Sequence, residues 1–88
     1  MKPTDAELMI LRALWEKSSA TVREVHEALE DKGVRYTTTL KQLQVMFEKG
    51  LVTRDDSDKS HVYKAAVSEE ETQVTLLDHL LENAFAGS

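Results

Sequence analysis

The residues best placed to do chemistry lie in "RYTTTLKQLQVMFEKGL", residues 35–51. Thr37, Thr38 and Thr39 stand in a row directly before a run with helical spacing. Threonine is a mediocre helix-interior residue because its branched β-carbon restricts χ1. A helix built for stability alone would not begin this way. At a helix N-terminus, however, hydroxyls and backbone N–H groups bind phosphate oxygens. At about 100° per residue from Leu40, the residues Leu43, Met46 and Phe47 share one arc, the expected core face. The other side carries Thr38, Lys41, Gln42, Val45 and Lys49, with Glu48 towards its edge. Lysine donates to guanine O6 or N7, glutamine pairs bidentately with adenine, and threonine or valine methyls meet the thymine methyl. Thr38, Lys41, Gln42 and Val45 are therefore the candidate base-reading residues. One threonine is expected to cap the helix; Thr37, Thr39, Lys49 and the neighbouring Tyr36 are candidates for phosphate contact. Taken alone, the same surface suits an ordinary solvated helix face, so its surroundings must decide.

Charge is the first of these. The 88 residues carry a net charge of −5, which argues against a nucleic-acid partner. The distribution of that charge argues the other way. Lys32, Arg35, Lys41, Lys49, Arg54, Lys59 and Lys64 face only Glu48, Asp55, Asp56 and Asp58 in the middle third, while both flanks are acidic. A basic segment between acidic flanks locates anion binding that the total conceals.

The elements around the threonines follow from caps and turns. "TDAE" is a capping box, Thr4 with Glu7, and Leu8, Leu11, Ala13, Leu14 and Trp15 follow at helical spacing until "KSS". A second box, "TVRE", pairs Thr21 with Glu24 and opens a short helix whose inner stripe is Val22, Val25, Ala28 and Leu29. It is expected to stop in "EDKG" at a left-handed Gly33. The threonine helix closes at Gly50. Leu51–Arg54 and His61–Ala65 then favour an antiparallel hairpin around the turn "DDSDKS". "SEEE" starts a last helix capped by Ser68, with acids in its first turn where the dipole favours them. Three helices, a two-stranded ribbon and a further helix make a mainly α fold with a small β-hairpin wing: a winged helix-turn-helix over residues 1–67, with a C-terminal helix in 68–88. On that last helix Val74, Leu77, Leu81 and Phe85 form a wide apolar surface suited to a partner helix.

Several other chemistries are set aside. The absence of cysteine removes disulfides, thiol nucleophiles and Cys-based zinc sites. "HEALE" places Glu30 where a zinc-protease motif needs its second histidine. "DDSDKS" departs from an EF-hand loop at Ser60 and Ala66. His26 and His79 share no metal-ligand spacing, and Trp15 and Tyr63 read as core or core-edge residues. No nucleophile–base pair has credible spacing, so no enzyme and no cofactor are expected. The charged N-terminus is no signal peptide and no apolar run is long enough to span a bilayer, so a cytoplasmic protein is expected.

"ELMILRALWEK", "ATVREVHEAL", "YTTTLKQLQ", "EKGLVTRD" and "SHVYKAAVSEEE" together resemble the penicillinase-repressor family of bacterial transcription factors over residues 5–85. The resemblance implies a winged-helix repressor that binds a dyad-symmetric operator in double-stranded DNA as a homodimer, with a regulatory protease relieving some members. It makes Thr37, Thr38, Lys41 and Gln42 the groove and phosphate contacts. Arg54, Lys59 and His61 become the wing, and Thr21 and Arg23 on the second helix add backbone contacts. Position 45, often arginine in the family, is Val45 here, which implies a different operator. The copper-responsive branch uses C-terminal cysteines, which this chain lacks. The family's dimerisation region extends past residue 88, and residues 68–85 resemble its first helix. From a different class, a winged helix used for protein–protein assembly without DNA would suit the net charge of −5, but Lys41 and Lys49 oppose it.

Overall fold

Residues 2–29 and 33–86 are described by a computed structural model of the chain. Along it run α1 (Asp5–Lys17), β1 (Ala20–Thr21), α2 (Val22–Leu29), α3 (Tyr36–Lys49), β2 (Val52–Asp55), β3 (Val62–Ala65) and α4 (Glu69–Ala86).

Three helices begin where their N-caps are expected, two of them with the expected capping box. The Thr4 hydroxyl accepts from the Glu7 amide at 3.1 Å while the Glu7 carboxylate accepts from the Thr4 amide at 2.9 Å. Thr21 with Glu24 and Ser68 with Glu71 repeat the same reciprocal pair at α2 and α4. Each box satisfies two amide donors that a helix start otherwise leaves open. α3 ends on Gly50 in the left-handed region (φ 82°), its amide bonded to the carbonyls of Met46 and Phe47. The next amide, of Leu51, bonds back to Met46 at 2.9 Å. Of the expected stop of α2 in residues 30–33, residues 30–32 lie outside the described residues.

β2 and β3 pair antiparallel, with Val52 opposite Ala65 and Asp55 opposite Val62. Leu51 and His61, expected in the strands, fall just outside them. β1 is an addition to the expected hairpin: it joins the other edge of β3, with Ala20 opposite Tyr63 and Thr21 opposite Val62. Two residues are too few to display the alternation that reveals a strand. The resulting sheet has the order β1-β3-β2.

One core joins helices and sheet. Ile10, Leu11, Leu14, Val22, Val25, Leu43, Met46, Leu51, Val52 and Tyr63 meet in it, with Trp15, Leu29 and Leu40 packed at its margin. Ala28, expected on the inner stripe of α2, is exposed instead. Burying Tyr63 completely locks the wing onto the three-helix unit, since its strand neighbours span both β1 and β2. α4 is tied to that unit at its root. The Trp15 indole N–H donates to the Val67 carbonyl at 2.9 Å, and Thr72 is buried. Beyond that root Val74, Leu77, Leu80, Leu81 and Phe85 are all exposed. The architecture is a winged helix-turn-helix with a C-terminal helix.

Candidate nucleic-acid interface

The rotation of α3 about its own axis decides what it offers to a partner. Its buried residues are Thr39, Leu43 and Met46. Thr39 is only 1% exposed, and its hydroxyl lies 2.8 Å from His26 Nδ1 on α2. A polar side chain can occupy the core at this point because that hydrogen bond satisfies it. Its burial turns the inward arc away from Phe47, which is 39% exposed although the apolar spacing placed it in the core.

Two flanks then bracket the helix. On one, Tyr36 and Leu40 line a cleft of about 460 Å³ with Thr21, Val22 and Arg23 of the β1–α2 corner and Lys59, Ser60 and His61 of the wing. Farther along the same flank, the Arg54 guanidinium lies over the Phe47 ring, 4.3 Å from its centroid. On the other flank, Thr38 and Gln42 border a small apolar gap against Ala6, Met9 and Ile10 of α1. Lys49 closes that flank with an ion pair to Glu7 at 2.8 Å. Between the flanks lie Thr37, Lys41, Gln44 and Glu48, all exposed and spaced to share one face.

The cleft gathers five of the candidate phosphate-binding residues: Thr21, Arg23, Tyr36, Lys59 and His61. Tyr36 is held there on two sides. The Arg23 guanidinium sits over its ring at 5.2 Å, and the His26 ring meets it edge-on at 5.6 Å. Thr37 at the helix tip is exposed. Short donors on the helix tip, a guanidinium and a wing lysine thus surround one groove, an arrangement that suits a phosphate chain.

Three expectations need correcting. Thr39 does not face a partner, because it is buried against His26. No threonine caps α3: the position before its first residue is Arg35, with extended backbone and no side-chain cap, and the Arg35 carbonyl accepts from the amides of Thr38 and Thr39. Lys49 and Arg54 have internal duties instead of free charges. Lys49 neutralises Glu7, and Arg54 holds the wing to Phe47 with its Nε 2.8 Å from Asp56 Oδ1. Glu7 is almost wholly buried. Burial raises its pKa, but the Lys49 ammonium and the Thr4 backbone and hydroxyl outweigh that and hold it below 4.5.

Of the base-reading candidates, Thr38 and Lys41 are exposed, whereas Gln42 and Val45 are half-buried. Gln44 and Arg35, both exposed, are absent from the contacts that the sequence suggests. The signal for Gln44 is obscured when Thr39 is taken as a surface residue, which misplaces the helix rotation. Among the described residues, no cluster of three or more His, Asp or Glu side chains is arranged to hold a metal. None of the described helices is long and apolar enough to cross a membrane.

The sequence model of a family described as "Penicillinase repressor" matches residues 3–88. The fold is similar to the solution structure of the DNA-binding domain of the repressor BlaI, with a TM-score of 0.67 and 25% identity over 81% of this chain and 93% of that one. It is also similar to the solution structure of the Bacillus licheniformis BlaI monomeric form in complex with the blaP half-operator. There the TM-score is 0.67 and the identity 24%, over 81% of this chain and 88% of that one. None of the curated proteins matches the chain.

Proposed function

The chain belongs to the penicillinase repressor family, and from that premise we propose that it represses transcription by occupying a dyad-symmetric operator as a homodimer. Membership makes it a regulatory DNA-binding protein and not an enzyme. Residues 1–67 form the DNA-binding domain in this reading, and 68–88 the beginning of the dimerisation region.

The observation that carries the proposal is the open face of α3, flanked on one side by a cleft lined with Arg23, Tyr36, Lys59 and His61. α3 enters a major groove, with Lys41 at base edges and Thr38, Gln42 and Val45 towards the margin of the contact. The cleft receives the adjoining backbone, with Thr21 and Thr37 supplying hydroxyls. These contacts fix register, while the helix discriminates sequence. A second protomer, joined through Val74, Leu77, Leu81 and Phe85, places its own α3 one helical turn away, about 34 Å along the duplex. The bound dimer obstructs polymerase in the cytoplasm, and a regulatory protease relieves the repression.

Mobility shifts against genomic fragments, followed by a salt titration on the retained duplex, test this reading. Lys59→Ala is expected to weaken specific and random DNA alike and to flatten the salt slope by about one unit. Lys41→Ala is expected to cost about 1–3 kcal/mol at the preferred site and little on random DNA. A chain that retards no duplex at low salt would refute the proposal.

A further inference from the structure

We infer that Gln44 is a specificity-determining residue, reading an adenine in the major groove, in place of Gln42. The inference rests on the proposed DNA-binding role of α3 and adds to it a residue and a base.

The argument is one of placement. Gln42 is half-buried and borders the apolar gap lined by Ala6, Met9 and Ile10. A duplex approaching α3 meets α1 on that flank. The opposite flank is taken by Tyr36, Leu40 and Phe47, which face the wing cleft and Arg54. What remains is a strip of Thr37, Lys41, Gln44 and Glu48, at intervals of four, three and four residues, the spacing of one helix face. Gln44 sits at the middle of this strip, seven residues beyond the exposed tip threonine. Its flank neighbour Leu40 borders the cleft that holds Lys59 and His61. A backbone seated in that cleft therefore runs beside Gln44 and brings base edges to its amide.

The amide has the chemistry for one base in particular. Its carbonyl accepts from adenine N6 while its NH2 donates to N7, a bidentate pair that no other base reproduces in the major groove. Lys41, one turn earlier, prefers guanine O6 or N7. The strip thus predicts a purine-rich reading frame in which the adenine belongs to Gln44. Exchanging the amide for a carboxylate would favour a cytosine N4 donor instead.

Selection from a randomised duplex library with the 88-residue chain tests the assignment. The wild type, Gln44→Ala, Gln44→Glu and Gln42→Ala are compared, with a salt titration on random DNA as reference. Wild type is expected to enrich a motif containing an adenine whose replacement weakens binding by roughly tenfold or more. Gln44→Ala should erase that preference without changing affinity for random DNA, and Gln44→Glu should move it towards cytosine. Gln42→Ala should leave the motif intact. A motif unchanged by either Gln44 variant, or one altered by Gln42→Ala alone, overturns the assignment while leaving DNA binding in place. A wild type that enriches no motif overturns the underlying DNA-reading role as well.

Discussion

Glu7 does two jobs with one carboxylate. It completes the capping box of α1 with Thr4 and receives the ammonium of Lys49 from the last turn of α3. The capping box is legible in the sequence, because its partners are three residues apart. The ion pair is not, because 42 residues separate its members. The same distance problem hides Thr39. Only the fold brings His26 to it, and without that partner a threonine reads as surface. Glu7 also makes stability depend on pH. Its folded pKa is held below the ordinary 4.5 by Lys49 and Thr4 despite burial. The stabilisation is therefore complete above about pH 4.5 and is lost as pH falls through the lower folded value. Lys49→Met should lower stability by about 1 kcal/mol near neutral pH, as expected for a pair with one partly exposed partner. It should also flatten the acid side of the stability profile, measured by urea denaturation from acid to neutral pH. An acid profile identical to that of the wild type would remove Lys49 from this role.

Elements defined by local signals are legible in the sequence, and those defined by tertiary pairing are not. The helix starts at Thr4, Thr21 and Ser68 and the stop at Gly50 rest on residues within a few positions of each other, and the hairpin rests on two strand-favouring runs joined by one polar turn. β1 exists only because β3 offers it an edge, and its two residues carry no signal of their own. The corner leading into β1 is strained. Ser18, at the end of α1, has φ 70° and ψ −48°, the one positive φ among described non-glycine residues, while its amide bonds to the Leu14 carbonyl at 2.8 Å. This backbone clashes with a Cβ, and glycine adopts it readily. Ser18→Gly is expected to stabilise the fold by roughly 0.5–1 kcal/mol, after the added freedom of the unfolded chain is set against the relieved strain. Thermal unfolding checks it; a lower melting temperature would show that the strain is smaller than the entropy it offsets.

At the scale of the whole molecule, charge and apolar surface are segregated. The net charge of −5 conceals a middle third of net positive charge, and the wing cleft draws its bases from that segment and from Arg23. The acids concentrate elsewhere, notably in the first turn of α4. Val74, Leu77, Leu80, Leu81 and Phe85 of α4 are exposed, far in sequence from the outward face of α3, while the root of the helix is tied down by Trp15 and the buried Thr72. Leu77→Asp should therefore yield monomers in sedimentation velocity and weaken binding to a two-half-site operator far more than to a single half-site. An unchanged dimer would exclude α4 as the interface. The central claim, that the outward face of α3 together with the wing cleft receives a duplex, is tested most directly by titrating isotopically labelled protein with DNA and following its amide resonances. The account predicts shifts and broadening at Thr37, Lys41 and Gln44 and in the cleft at Arg23, Tyr36 and Lys59, reversed by salt. Perturbations confined to α4 or to the α1 gap around Met9, with those residues unmoved, would contradict it.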